Sequence, residues 1–449
     1  MKKMYKDTFI VGFALFAMFF GAGNLIFPPY LGLVSSNKWL LAFAAFIISD
    51  LGLALVALAA AARKNGDIIS VFSRSGKKVA IVIASLIMLC LGPLLAIPRT
   101  GATTFEMGVA PLLPGASTAL FAVVFFGLTL LLTIRPSKVV DIIGQYLTPA
   151  LLVALIAMIA KGVLDPIGPI EQPEFIESVV AEGIAQGYQT MDALGAISLS
   201  AVIMVSLGQR GYTSVNSKVK MALKAGVVAT VALLIVYGGL AYLGASYVNN
   251  YVAALGGVDP SNINNTQLIV SLTEDLLGQT GKIMLAVIVS LACLTTSVGL
   301  TSACGTFFSK ITNNKLTYEA IVIAICIFAG IASTLGVSNI IAIAAPILSI
   351  VYPATIVLVF LSFADKLIKN DNVFKYATYA TILFSTLEVI GSFNIIDVSF
   401  LQIMPLSSIG FGFVLPAIFG GVIGYFSFNG NNSGRKQKKA EETLQENNA

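Results

Sequence analysis

The chain is a succession of apolar runs, each close to or above the roughly 20 residues a helix needs to cross the hydrocarbon core of a bilayer. Twelve such runs are found, at 8–33, 38–62, 79–107, 117–135, 139–163, 186–208, 221–247, 281–309, 316–334, 338–363, 374–392 and 404–427, numbered one to twelve in that order. Backbone N–H and C=O groups find no water in lipid, so each run is expected to be helical. The short alternating segments of a β-barrel do not appear. Of 449 residues, 57% are apolar and 11% charged, against about 25% charged in soluble domains. The expected fold class is an all-α polytopic membrane protein of 12 transmembrane helices. It is expected to form one transmembrane domain over 1–427, followed by a disordered cytoplasmic tail over 428–449. The first run is too long for a signal-peptide core and has no small-residue cleavage site, so it is expected to be retained.

Charge sets the orientation. Lys and Arg collect in cytoplasmic loops, and 23 of the 27 basic residues fall on one side of the alternating runs. They include Lys2, Lys3 and Lys6, then Arg63, Lys64, Arg74, Lys77 and Lys78 between runs two and three, and Arg135 and Lys138 between four and five. Arg210, Lys218, Lys220 and Lys224, Lys310 and Lys315, Lys366, Lys369 and Lys375, and the basic tail continue the pattern. The opposite side carries Asp165, Glu171, Glu174, Glu177 and Glu182. A missed helix would invert the bias downstream, so the alternation tests the count. Both termini are expected in the cytoplasm. The net charge of +5 is then a topology signal and requires no nucleic-acid partner.

The absence of histidine excludes His-based catalytic groups and His-ligated metals. Cys90, Cys293, Cys304 and Cys326 sit in apolar runs without C-x-x-C spacing and read as buried small hydrophobes. No nucleophile–base pair or cofactor motif is visible, so the chain is expected not to be an enzyme and to carry no cofactor. Nothing in the sequence bears on oligomeric state.

Two runs are interrupted. Run one contains Phe20-Gly21-Ala22-Gly23-Asn24 at mid-membrane depth. Glycine permits unwinding, and exposed backbone groups are tolerated where they line a cavity. A half-helix beginning near Ala22 would offer N–H groups to a carboxylate, and one ending near Phe20 would offer carbonyls to a cation. Close helix packing through Gly21 and Gly23 is the other reading. Run six contains Tyr188-Gln189-Thr190-Met191-Asp192-Ala193-Leu194, with an ionisable residue inside the run, and such residues mark substrate or ion paths. The runs lie five apart, and paired interrupted helices point to a transporter binding site. The expected architecture is a 5+5 inverted repeat (8–163 and 186–363) with discontinuous helices one and six, followed by helices 11–12 over 374–427.

Run eight places Ala292, Thr295 and Thr296 on one helix face. A carbonyl and two hydroxyls there suit a hard cation; hydroxyl back-bonding to the preceding turn is the alternative. In run three, Gly92-Pro93 and Pro98 predict a kink, and Arg99 needs a partner, either Glu106 or Asp192. Arg99 and Glu106 read as a structural ion pair or as gating or substrate contacts. Asp50 and Glu388 are further intramembrane acids without an assigned role. A capping box is expected at Ser271 and Glu274.

The run Gly12 to Pro29, the Gly92-Pro93…Arg99-Thr100 segment and Tyr188 to Asp192 resemble the bacterial branched-chain amino acid:cation symporter family over about residues 5–427. The resemblance implies uptake of leucine, isoleucine and valine, driven by sodium in most members, and the five-plus-five fold of the amino acid–polyamine–organocation superfamily. It implies substrate-carboxylate contacts at Ala22, Gly23 and Asn24, and a sodium site of Ala17, Phe20, Ala292, Thr295 and Thr296. The chain departs from sodium-coupled relatives of that fold in two places. Run three has no counterpart of their substrate-contacting tyrosine, and Asp192 replaces a neutral residue. The expected activity is sodium-coupled symport by alternating access, with Tyr188, Met191, Asp192 and Leu194 completing the substrate site. A proton-coupled carrier using Asp192 is the alternative, and an ion channel a weaker one.

Overall fold

The computed structural model describes residues 2–134, 148–257, 259–393 and 396–427. The tail over 428–449, Arg135, Lys138 and the first part of run five lie outside the described residues. No strand occurs among the described residues, and each of runs one to eleven contains α-helix over its described part. Run twelve is shorter than expected: its helix is Val414–Phe426, and residues 404–413 form turns, with Leu406 and Gly410 at positive φ. Among the described residues, six helical segments can cross a membrane by length and composition: Ala22–Arg63, Lys77–Val109, Val179–Gln209, Val215–Ser246, Asn265–Ile311 and Val337–Phe363. Thr118–Thr133, Thr148–Leu164, Tyr318–Ser333 and Val414–Phe426 are shorter apolar helices. Val123, Leu131 and Ile331 are 72%, 73% and 69% exposed, an outer surface suited to lipid contact.

Several helices are irregular, each at residues that explain it. Run one divides into Lys2–Phe19 and Ala22–Ser35, with Gly21 extended between them. Run two has a π-turn over Ile48–Gly52, centred on Asp50, between Trp39–Ile47 and Leu53–Arg63. Run three breaks where Gly92 leaves helical geometry and Pro93 follows. Its next helix, Ala96–Thr104, takes Pro98 in its first turn, where the missing N–H would have had no acceptor. A second π-turn spans Phe105–Val109. Run six starts earlier than the sequence suggests, at Val179, because Ser178 caps it by accepting from Ala181 N. Run eight belongs to a longer helix, Asn265–Ile311, kinked where Gly278 takes φ +60°. Its cap is Asn264, whose Oδ1 accepts from Thr266 N and Gln267 N. The Ser271–Glu274 capping box is therefore not formed: Ser271 lies inside the helix, and Glu274 pairs with Lys282 at 2.7 Å.

Contacts between connecting segments form two sets. Lys64 pairs with Asp365, Arg74 with Asp371, Lys310 with Asp67, and Arg210 with Asp7, at 2.6–3.1 Å. The other set joins the end of run one to residues 165–178. Ser36 Oγ and Asn37 N donate to Gln172 O, Phe175 N donates to Val34 O, and Lys38 pairs with Glu174. The Lys38 ammonium, hydrogen-bonded to Glu174, holds that carboxyl below the usual range. Glu106 accepts from Val337 N and from Thr266 Oγ1, both at 2.8 Å.

The second half of run one packs on run seven (Val215–Ser246) without intervening side chains. A Cβ on Gly32 would strike Ala241 O, and one on Gly244 would strike Pro29 O. This is small-residue packing of the kind that brings membrane helices together. Gly244→Leu is expected to force these backbones apart at a cost of about 1–3 kcal/mol or more. A lower melting temperature in detergent, against an unchanged Gly127→Ala control facing open space, is the expected result.

Candidate binding site

The break in run one rests on one side chain. In a continuous helix, Gly21 N–H would bond to Ala17 O. It donates instead to Asn24 Oδ1 at 3.1 Å, and the freed Ala17 carbonyl receives the hydroxyls of run eight. Thr295 Oγ1 lies 3.0 Å from Ala17 O and 2.9 Å from Ala292 O. Thr296 Oγ1 lies 3.2 Å from both Ala17 O and Phe20 O. Five uncharged oxygens thus converge between runs one and eight. All five residues are buried. Such a donor set suits a hard monovalent cation and lacks the soft ligands a transition metal takes. The structure brings these five sequence-singled residues together.

Run six breaks at Met191, which takes the left-handed conformation (φ +67°, ψ +17°) between Val179–Thr190 and Asp192–Gln209. A non-glycine residue there is strained, and such strain gathers at functional sites. The turn sets Asp192 at the first position of the second half-helix, 3% exposed. Its Oδ2 accepts from Asn24 Nδ2 at 3.0 Å and from Tyr237 OH at 3.1 Å. Asn24 Nδ2 also donates to the Tyr237 oxygen. One carboxamide therefore joins both breaks to run seven.

Arg99 enters from run three, 3% exposed. Its Nη1 donates to Gln189 O at 3.0 Å, and its Nε has no hydrogen-bond partner. A Cβ on Gly23 would lie 2.8 Å from Arg99 Nη2. The guanidinium therefore stands at the start of the Ala22–Ser35 half-helix. The sequence-stated Arg99–Glu106 pair is corrected: Glu106 is bonded to Val337 N and Thr266 Oγ1. Seven residues along a helix put Glu106 about 10 Å from Arg99 along the axis, and each group takes a nearer partner on another run, Arg99 at Gln189 O and Glu106 at Val337 N and Thr266 Oγ1.

Between the breaks lies a cavity of about 30 Å³. Ala22, Asn24, Arg99, Met191 and Asp192 line it on the polar side, and Met18, Phe19, Leu91 and Leu300 on the apolar side. Two expected contacts fall elsewhere. Tyr188 stacks on Tyr352 with ring centroids 4.6 Å apart, and Leu194 is buried in packing behind the cavity. The helical turn after Met191 aims Leu194 away from the cavity. Glu388 lines a separate cleft with Ser392 and Asp397. Sequence reasoning overlooked Tyr237 and the apolar wall. The tyrosine had a faint signal, a hydroxyl midway along run seven, but Thr230, Tyr242, Ser246 and Tyr247 share that run and nothing in the sequence sets Tyr237 apart. The apolar wall had none, since Met18, Leu91 and Leu300 do not differ from lipid-facing residues in sequence.

Residues 4–430 match the sequence profile of the family described as branched-chain amino acid transport protein. The branched-chain amino acid permease BraB of Bacillus subtilis is 37% identical over 431 residues, covering 94% of this chain and 95% of the relative. The permease BrnQ of the same organism is 35% identical, covering 93% and 95%. Among solved structures, Mhp1, a nucleobase-cation-symport-1 family transporter in a closed conformation with bromovinylhydantoin bound, superposes with a TM-score of 0.63 at 14% identity, covering 93% and 91% of the two chains. A Na+-coupled sialic acid symporter gives 0.59 at 12%, covering 94% and 90%. MhsT in complex with L-phenylalanine gives 0.52 at 15%, covering 92% and 98%. At these identities the structural likenesses establish a shared fold.

Replacing Asn24 by Ala removes the acceptor for Gly21 N–H and a donor to Asp192 at once. Unmade buried hydrogen bonds cost about 1–3 kcal/mol. Asn24→Ala is expected to lower the melting temperature in detergent, with Asn24→Gln recovering little because its longer side chain cannot cap the turn.

Proposed function

The chain belongs to the branched-chain amino acid transport protein family, and from that premise we propose that it imports leucine, isoleucine and valine with sodium by alternating access. Its relatives are named permeases and carriers, not enzymes. The observation that carries the reading is that Arg99 and Asp192 stand on one cavity flanked by two helix breaks. An amino acid is a zwitterion. Its carboxylate is met by the N–H groups at Ala22–Asn24 together with the guanidinium of Arg99. Its ammonium is met by Asp192. Each buried charge then faces an opposite one, which burial requires. Arg99 supplies in run three what relatives of the fold supply with a tyrosine.

The branched side chain enters the apolar wall of Met18, Phe19, Leu91 and Leu300. A cavity of about 30 Å³ holds roughly one water, so the half-helices must part to admit the substrate. Such a pocket separates side chains by only about 1–3 kcal/mol per methylene, and broad selectivity among the three amino acids follows. Sodium binds the oxygens of Ala17, Phe20, Ala292, Thr295 and Thr296, and ties run eight to the first half of run one.

The architecture in this reading is twelve spans with inverted repeats over 8–163 and 186–363. The interruption of runs one and six at Gly21 and Met191 supports it. So do the two sets of loop contacts. The set of Lys64, Arg74, Arg210 and Lys310 joins segments that twelve alternating spans place at one end. The set of Ser36, Asn37, Gln172 and Phe175 joins segments placed at the other. The basic set is the cytoplasmic one by the distribution of Lys and Arg, with both termini on that side of a bacterial plasma membrane.

A proton-coupled carrier is a second reading, favoured by the burial of Asp192 on the cavity. Proteoliposomes separate the two. Labelled leucine should accumulate under an inward sodium gradient, and Thr296→Val should raise the sodium concentration needed by about 10-fold or more, the loss of some 1.4 kcal/mol of binding. Equal uptake with and without sodium removes sodium coupling. Uptake that persists without sodium, accumulates under an inward proton gradient and collapses when that gradient is dissipated establishes the proton route.

A further inference from the structure

Asp50 is fully buried at the centre of the π-turn in run two. Its Oδ1 accepts from Thr190 Oγ1 at 2.8 Å. Its Oδ2 is buried and has no hydrogen-bond partner. Thr190 ends the first half of run six and Asp192 begins the second, so the bond to Thr190 sets the Asp50 carboxyl at the same break as the Asp192 carboxyl, two residues along the chain. Glycine makes the approach possible: a Cβ on Gly187 would strike Ser49 Oγ and lie 3.2 Å from Asp50 N. Run six thereby seats its outer half directly against the π-turn.

The other ionisable groups around the pair are Arg99 from run three, Tyr237 from run seven and Tyr352 from run ten, with Tyr188 stacked behind Tyr352 and Cys293 of run eight beside Arg99. Run one contributes the neutral Asn24. Of these groups, Arg99 is the one cation. It balances one carboxylate, and the second has no counter-charge. Two enclosed like charges do not both persist in low dielectric without a proton or another cation between them.

We propose that Asp50 and Asp192 form a carboxyl pair that holds one proton in the substrate-free protein and releases it when the ammonium of the amino acid binds. The inference rests on the transport reading above, since the ammonium is what displaces the proton. In the exchange, one carboxyl O–H bond breaks and its proton passes to water. Hydrogen bonds from the ammonium replace it, and no electron is transferred. The charge count supports the exchange. One proton and Arg99 neutralise the two carboxylates before binding. Afterwards the zwitterion adds no net charge, and the sodium ion replaces the charge of the departed proton. Asp50 thus becomes part of the binding site although it does not line the cavity.

Titration calorimetry of leucine into the purified full-length protein, with saturating sodium at about pH 7, in buffers of different ionisation enthalpy, counts the protons released. The native chain should release up to one proton per leucine bound. Its affinity should fall by up to about tenfold per pH unit on acidification, as proton and ammonium compete. Asp50→Asn should remove both the release and the pH slope, whereas Thr190→Val, which keeps both carboxyls, should retain the release. Infrared difference spectra of the native protein give a readout independent of the variants. A protonated-carboxyl C=O stretch should be lost on leucine binding. Leucine binding with no proton exchanged and no carboxyl band lost overturns the pair, as does release undiminished in Asp50→Asn. Absence of leucine binding in the native chain overturns the transport reading and the pair's role with it.

Discussion

The carboxamide of Asn24 is the interaction on which the site depends. By accepting the Gly21 N–H it keeps run one from closing its helix, and by donating to Asp192 and Tyr237 it ties that break to runs six and seven. Asparagine suits this position because it offers an acceptor and two donors on a short stem. Aspartate would lose the donors and place another negative charge beside Asp192. Leucine would leave Gly21 N–H without an acceptor, and the helix could recover its ordinary bond to Ala17 O. The cluster of uncharged oxygens would then lose the carbonyl on which both threonine hydroxyls converge.

The site can be described as two half-sites of different chemistry sharing one wall. Between runs one and eight the groups are neutral oxygens, which in the proposed reading would hold a cation through many weak dipoles and leave it able to depart. Between runs one, three and six the groups are formal charges, which in that reading would select a zwitterion because each must find its opposite. Run one belongs to both, with Ala17 and Phe20 on one side of its break and Ala22 to Asn24 on the other. Motion of the first half-helix changes the geometry of both half-sites together. Linkage between two ligands requires such an element, whose position each of them biases.

Much of this was legible in the sequence because membranes make polar groups conspicuous. Gly21, Asn24, Arg99 and Asp192 stood out against apolar surroundings, and the face of Ala292, Thr295 and Thr296 followed from helical spacing alone. The errors arose where a local pattern did not decide the partner. Glu106 was placed with Arg99 by counting seven residues along a helix, but Gln189 O takes Arg99, and Val337 N and Thr266 Oγ1 take Glu106. Asp50 sits on a π-turn and was visible only as an acid of unknown purpose. Ser271 and Glu274 matched a capping pattern, but the true cap lies at Asn264, seven residues earlier, where the helix begins outside the apolar run. The apolar wall was not legible, because a leucine that faces a cavity and one that faces lipid are the same letter.

The narrowness of the cavity bears on what a membrane must prevent. With room for about one water between the breaks, this cavity is too small for a hydrated ion. In the proposed carrier, a site this tight keeps solute concentration differences across the bilayer from draining through it at rest. The same narrowness makes every passage wait on a rearrangement of helices, so throughput is limited by the protein's own motion, and tightness at rest and slowness at work have a single structural origin.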